Sequence, residues 1–162
     1  SWRRSWIPRF AQITLDGLLL TLAFWLAYQL RYRWEIGGDV PAVFVQPFSA
    51  FAGRTALFVF VTLLILGLRG LYRLPRWTSF IDEASIIASG VTTGMALVIL
   101  YSFLSRFSPS RLIFIYAWIL GIVLLATQRL VGRWIRAWLW ARERGVDRVI
   151  VIGSGPAARR IM

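Results

Sequence analysis

Ser110-Arg-Leu-Ile-Phe-Ile-Tyr-Ala-Trp-Ile-Leu-Gly-Ile-Val-Leu-Leu-Ala-Thr-Gln-Arg129 decides how this chain is read. Nothing between Arg111 and Arg129 carries charge. As a helix rising about 1.5 Å per residue, residues 110–131 are long enough for a hydrocarbon core of about 30 Å. The stretch is followed by an arginine- and tryptophan-rich segment, Arg129 to Arg144. Then comes Arg148-Val-Ile-Val-Ile-Gly153-Ser-Gly155-Pro-Ala-Ala158. That sequence reads as a membrane span, a helix at the membrane surface, and the first strand and glycine turn of a soluble nucleotide-binding fold.

Composition supports a membrane protein. Apolar residues make up 58% of the 162-residue chain, far above the soluble norm. The chain has no cysteine and no histidine, which excludes disulfides, thiol nucleophiles, the common zinc sites and histidine acid–base chemistry within these residues. Net charge is +12, and all 19 basic residues are arginine. Arginine binds phosphate bidentately and is weakly hydrated, so it suits a phospholipid headgroup layer. The arginines flank apolar runs instead of forming a separate patch, which argues against nucleic acid as a partner.

Three further runs precede the first stretch. Residues 10–30 are interrupted only by Asp16 and closed by Arg31 and Arg33. Because Ser1-Trp-Arg-Arg lacks the small-residue cleavage pattern of a signal peptide, this run is expected to be retained. Residues 48–68 are interrupted only by Arg54. Residues 84–105 carry no charge and follow Ser79 and Asp82, spaced as a capping box. Asp82 and Glu83 suit the positive end of that helix's dipole. Ser108-Pro109 reads as the cap and first residue of the fourth helix.

The predicted fold is therefore all-α: a four-transmembrane-helix bundle over residues 1–131. An interfacial helix and linker follow at 132–147, and the start of a truncated Rossmann-like domain at 148–162. Arginines crowd the N-terminal segment, the second loop and the segment from Arg129, so the positive-inside rule places both termini in the cytoplasm.

Candidate sites follow from chemistry at depth. Asp16 lies within the first span, and an intramembrane acid needs a partner. Arg129, at the cytoplasmic end of the fourth span, is the best candidate for an ion pair. Arg54 is expected to snorkel to the outer headgroups or to bind a lipid phosphate. Arg133 and Arg136 share one helical period and are candidates for contact with a lipid phosphate. Gly90 and Gly94 form a GxxxG pair that lets helices approach closely, within one bundle or between two copies. Gly153, Gly155 and Ala158 match GxGxx(G/A), where glycine lets backbone approach a pyrophosphate. The acidic residue expected about 20 positions later would fall beyond Met162. No carboxylate pair is placed for acid–base work, since Asp82 and Glu83 are adjacent on a helix and do not face each other. No catalytic, metal or cofactor residue is assigned beyond the glycine turn.

These residues also resemble a family. The resemblance rests on Leu15-Asp16-Gly, Leu26-Ala27-Tyr28-Gln-Leu-Arg31, Gly70-Leu71-Tyr72-Arg73, Arg76-Trp77, Ser110-Arg111-Leu112, Tyr116-Ala-Trp118 and Arg148-Val-Ile-Val-Ile-Gly153-Ser-Gly155. They are similar to the N-terminal half of large bacterial polyprenyl-phosphate glycosyl-1-phosphate transferases, which initiate exopolysaccharide or O-antigen synthesis. The resemblance implies a bacterial inner-membrane anchor ahead of a Rossmann-like domain. The catalytic domain beyond it would use an Asp–Glu dyad and magnesium on a UDP-sugar, with undecaprenyl phosphate as acceptor. These residues would then be a noncatalytic part of a truncated or partly represented parent, acting as a homodimer or as a subunit of a membrane complex, with membrane lipids and polyprenyl phosphate as contacts. One alternative shares the layout, the membrane domain of a nucleotide-sugar 4,6-dehydratase with NAD; another, of a different class, is a noncatalytic accessory subunit of a larger complex.

Overall fold

A computed structural model describes residues 6–41, 45–74, 78–106 and 110–142. Its four helices are α1 (Trp6–Tyr32), α2 (Ala52–Leu68), α3 (Phe80–Leu104) and α4 (Arg111–Arg142). Short 3-10 turns at Phe48–Phe51 and Leu71–Arg73 lead into and out of α2. The described residues contain no strand. The expected strand and glycine turn at 148–158, and the Ser108-Pro109 cap, lie outside them.

All four helices are long and apolar enough to cross a membrane: Arg9–Tyr32, Phe48–Leu68, Phe80–Leu104 and Arg111–Ile135. The third begins with Phe80, one residue past its cap. Ser79 accepts a hydrogen bond from the Ile81 amide at 3.3 Å, which satisfies one of the helix's orphan donors. Asp82 and Glu83 both fall in the first turn. Left-handed Gly70 (φ 76°) reverses the chain after α2, a conformation that costs glycine nothing.

Residues 1–130 form one compact unit. Within it each helix buries a stripe at three- and four-residue spacing, as an amphipathic helix must. On α1 the stripe is Asp16, Leu20, Phe24, Ala27 and Arg31; on α4 it is Ile113, Ala117, Leu125 and Arg129. Charged residues therefore close both stripes. Phe24 is the hub, with ring centroids 6.1 Å from Phe58 and 6.3 Å from both Phe51 and Phe114. These tilted and edge-on contacts use the aromatic quadrupole as well as buried area.

Two glycine sites let the helices approach closely. A Cβ on Gly121 would lie 3.3–3.6 Å from Val91, Leu20 and Phe58, so α4 is seated on the other three helices at that residue. The Gly90/Gly94 face of α3 packs on α2 within the bundle, where Cβ atoms would strike Leu66 and Thr62. Between them these contacts close the core from all four sides.

Polar contacts at the ends show that neighbouring helices alternate in direction. The end of α1 meets the start of α4, where Arg31 Nε donates to Ser110 Oγ at 2.7 Å. The same guanidinium donates to the Gly38 carbonyl at 2.7 Å and the Ile36 carbonyl at 3.3 Å. Tyr116 donates to that Ile36 carbonyl at 2.9 Å, so the first loop is tied to α4. The start of α2 meets the end of α3, where Arg54 donates to Ser102 Oγ (3.3 Å), Ser105 Oγ (3.1 Å) and the Ala50 carbonyl (3.0 Å). Its guanidinium also lies 5.8 Å from the Tyr101 ring. Serines one helical turn apart at the end of α3 thus supply acceptors within its reach.

The unit from Val131 to Met162 is helical as far as Arg142. The arginine–tryptophan segment is thus part of α4 itself up to Arg142. Val131, Trp134, Ile135 and Trp138 are exposed there.

Candidate functional site

The largest concentration of buried charge lies where α1 begins, α2 ends, α3 begins and α4 carries Arg129. Asp16 is fully buried on the inward stripe of α1. One Arg129 nitrogen, Nη2, lies 2.6 Å from Asp16 Oδ2. The Tyr72 hydroxyl donates to the same oxygen at 2.9 Å. Arg129 Nε lies 3.5 Å from Glu83 Oε1, a charge contact too long for a well-formed hydrogen bond. The Arg129 guanidinium also sits 5.7 Å from the centre of the Tyr72 ring. Helices α1, α3 and α4 and the turn after α2 thus converge on one guanidinium.

The sequence places each member for a local reason. Asp16 and Leu20 are one turn apart on α1, so the acid must face inward with the core. Arg129 continues the Gly121, Leu125 row of α4 by the same four-residue step. Glu83 is in the first turn of α3, where the helix dipole favours an acid. Tyr72 is fixed by the 3-10 turn that Gly70 starts.

Electrostatics dictate the rest. An Asp turned towards lipid at mid-helix costs about 2.5–3.5 kcal/mol on insertion scales. Facing inward avoids that cost only if a cation is supplied at the same depth. Removing two charges from water also costs several kcal/mol per ion, so the net stabilisation is modest. What the pair adds is register: rotating or sliding α1 against α4 would strand both charges. Among the described residues Asp16 Oδ1 has no hydrogen-bond partner, so their recognition of the carboxylate runs through Oδ2. The Tyr72 phenol is held well above the usual tyrosine range, first by burial and then by the charge of Asp16, which favours the protonated donor form. Since a raised pKa favours the protonated form in the fold, this contribution persists below about pH 10 and fades only above it.

Replacing Tyr72 by Phe keeps the ring under Arg129 and deletes one donor to a charged acceptor. A loss of about 1.5–3 kcal/mol is expected. It is measured as a lower midpoint for thermal unfolding in detergent, with tryptophan fluorescence as the signal.

The structure brings Asp16 and Arg129 together, and Gly90 and Gly94 together on the α2 face. Arg133 is half-buried in the second unit, while the side chain of Arg136 and residues Gly153, Gly155 and Ala158 lie outside the described residues. Sequence reasoning missed Tyr72 and the link from Glu83 to Arg129. One signal was available for Tyr72: a phenol in a short basic turn between two spans, at the depth of an intramembrane acid. Among the described residues no cluster of three or more His, Asp or Glu side chains could hold a metal.

Fold and site together define an all-helical domain of membrane-spanning type, cross-linked by buried charge. The chain belongs to the CoA-binding domain family, whose family model matches residues 67–161, more than half of its length. That domain is found in sugar-transferase-related proteins. The match runs from the last turn of α2 through α3 and α4 to residue 161, and so takes in Tyr72, Glu83 and Arg129. No curated protein and no solved structure matches the chain.

Proposed function

We propose that these residues are the membrane-anchoring part of an enzyme of polysaccharide biosynthesis, one that transfers a sugar-1-phosphate from a UDP-sugar to undecaprenyl phosphate. The fragment is itself noncatalytic. In this reading the bundle aligns the catalytic part at the cytoplasmic face of a bacterial inner membrane, with both termini on that side. It works as a homodimer or within a membrane complex. Magnesium and the Asp–Glu dyad belong to the parent's catalytic domain. The observation that carries the reading is the match over residues 67–161 to a domain found in sugar-transferase-related proteins. The spans that precede the match, and the Gly70-Leu71-Tyr72-Arg73 and Ser110-Arg111-Leu112 segments, add to it.

The family's description favours a second ligand for the soluble part. CoA and UDP-sugars both carry a diphosphate, and a glycine turn at a helix start offers backbone N–H groups to one. In this chain the residues whose sequence fits such a motif are Gly153-Ser-Gly155-Pro-Ala-Ala158.

The test uses membranes carrying the whole parent protein, magnesium, undecaprenyl phosphate and a panel of UDP-sugars. UMP release with formation of a lipid-linked sugar diphosphate is expected, and none from the 162 residues alone. Formation of a 4-keto-6-deoxy sugar nucleotide with NAD would replace this reading with the dehydratase. Titrating the same protein with CoA in a calorimeter, beside its Gly155→Val variant, separates a diphosphate site from a structural turn.

A further inference from the structure

A groove of about 460 Å³ opens between the start of α1 and the end of α2. Its walls are apolar, with Phe10, Leu64 and Leu68 among them, and all three are largely exposed. Gly67 forms part of its floor, and a Cβ there would meet nothing within 4 Å. Two arginines, Arg9 and Arg73, complete the lining. Arg9 is the first residue of the first apolar span, and Arg73 lies five positions beyond Leu68, the last of the second. Both therefore stand at the level where hydrocarbon gives way to headgroups. Both are exposed, and neither guanidinium has a hydrogen-bond or ion-pair partner among the described residues. The nearby acid, Asp16, is already committed to Arg129 and Tyr72.

Two unpaired guanidinium groups above an apolar channel complement one kind of molecule. It has a negatively charged phosphate head and a hydrocarbon tail. Arginine binds phosphate oxygens in a planar, bidentate fashion, and more strongly in an interfacial setting than in water. The channel below is too apolar to hold a water-soluble phosphate by itself. We infer that the groove between α1 and α2 is a binding site for an anionic diacyl phospholipid, its phosphate held by Arg9 and Arg73 and one acyl chain lying along Leu64, Gly67 and Leu68.

This site does not depend on the transferase reading. It has a structural link to the bundle, because Tyr72 also lines the groove while its hydroxyl donates to Asp16. A bound lipid packs on the back of the ring that braces the ion pair, so occupancy stabilises the junction of the four helices.

The experiment is native mass spectrometry of the full chain in detergent, stripped of lipid and reloaded with phosphatidic acid, phosphatidylglycerol, phosphatidylcholine or undecaprenyl phosphate. Phosphatidic acid and phosphatidylglycerol adducts are expected to exceed phosphatidylcholine by at least about fivefold. Arg9→Gln/Arg73→Gln should abolish the preference. Gly67→Leu should reduce every adduct by filling the channel, and it should not hinder folding, since leucine is a better helix former than glycine. Arg33→Gln/Arg106→Gln, at the opposite end of the bundle, should change nothing. Equal retention of phosphatidylcholine, or unchanged adducts in the Arg9/Arg73 variant, would overturn the site. So would a dimer that forms without lipid and is disrupted by Gly67→Leu, because a second copy would then be the occupant. Retention of undecaprenyl phosphate alone would overturn the assignment to a phospholipid, and binding of inorganic phosphate at equal strength would remove the role of the tail.

Discussion

Replacing Arg129 by Leu is expected to destabilise the bundle by about 3–5 kcal/mol, the range for breaking a buried ion pair by removing one partner. The reason is what remains. Asp16 is fully buried and, among the described residues, accepts only from Arg129 and Tyr72, so the variant leaves a carboxylate with one neutral donor. Asp16→Asn should cost less, because Arg129 keeps the partly exposed Glu83 at 3.5 Å and its place against the Tyr72 ring. Glu83→Gln should cost least, about 1 kcal/mol or below, since its contact is long and partly screened. The decisive variant is Asp16→Asn/Arg129→Met, which removes both charges and keeps their volume. It should recover most of the loss, as removing both members of a buried pair is often near neutral. Unfolding midpoints in detergent, followed by tryptophan fluorescence, give the ranking. If the double variant were as unstable as Arg129→Leu, the pair would be contributing shape and not charge compensation. If all four variants matched the parent, the cluster would be energetically idle.

Much of the bundle was legible because lipid allows few solutions. A spanning helix must satisfy its own backbone, so an uncharged run of about twenty residues announces itself without any knowledge of its neighbours. The inward stripe could also be found. Asp16 and Arg129 are polar interruptions in apolar runs, and an acid within a span points to a base at matching depth. Local spacing, however, says nothing about a third or fourth partner on another element. Glu83 already had a sufficient local role at the dipole of α3, and so its reach to Arg129 was hidden. Tyr72 sits in a loop by sequence, and only the turn begun by left-handed Gly70 brings its hydroxyl to Asp16. The acceptors of Arg54 were hidden for a similar reason. Depth alone suggested headgroups, whereas its acceptors, Ser102 and Ser105, come from the far end of a different helix. The groove at Arg9 and Arg73 was hidden by distance along the chain, since its walls are more than fifty residues apart.

The second large effect concerns the Gly90/Gly94 face, where the two glycines should behave differently despite identical spacing. A Cβ on Gly90 would meet Leu66 Cδ2 at 2.5 Å and its Cγ at 3.3 Å, both on a buried but flexible side chain whose χ angles can shift without moving the backbone. A Cβ on Gly94 would collide with Thr62 Oγ1. Turning that hydroxyl away loses no hydrogen bond among the described residues, since Thr62 Oγ1 makes none with them, but Cβ and Cα of Thr62 remain at 3.3 and 3.4 Å. Relief there requires α2 itself to move. Against each clash stands the gain of about 1 kcal/mol when alanine replaces a helical glycine. Gly90→Ala is therefore expected to be near neutral, and Gly94→Ala to lose about 1–3 kcal/mol, the usual range for overpacking. Gly94→Leu has no accommodating void and should separate α2 from α3 altogether, with a loss beyond that range. Separation would also shift Tyr72, which follows α2, away from Asp16. Gly94→Leu and Tyr72→Phe should then be less than additive in the unfolding midpoint, the mark of two changes acting on one structural element. Full additivity would show that the glycine contact and the ion-pair cluster are held independently, and a harmless Gly94→Leu would show that α2 and α3 do not pack at this close approach.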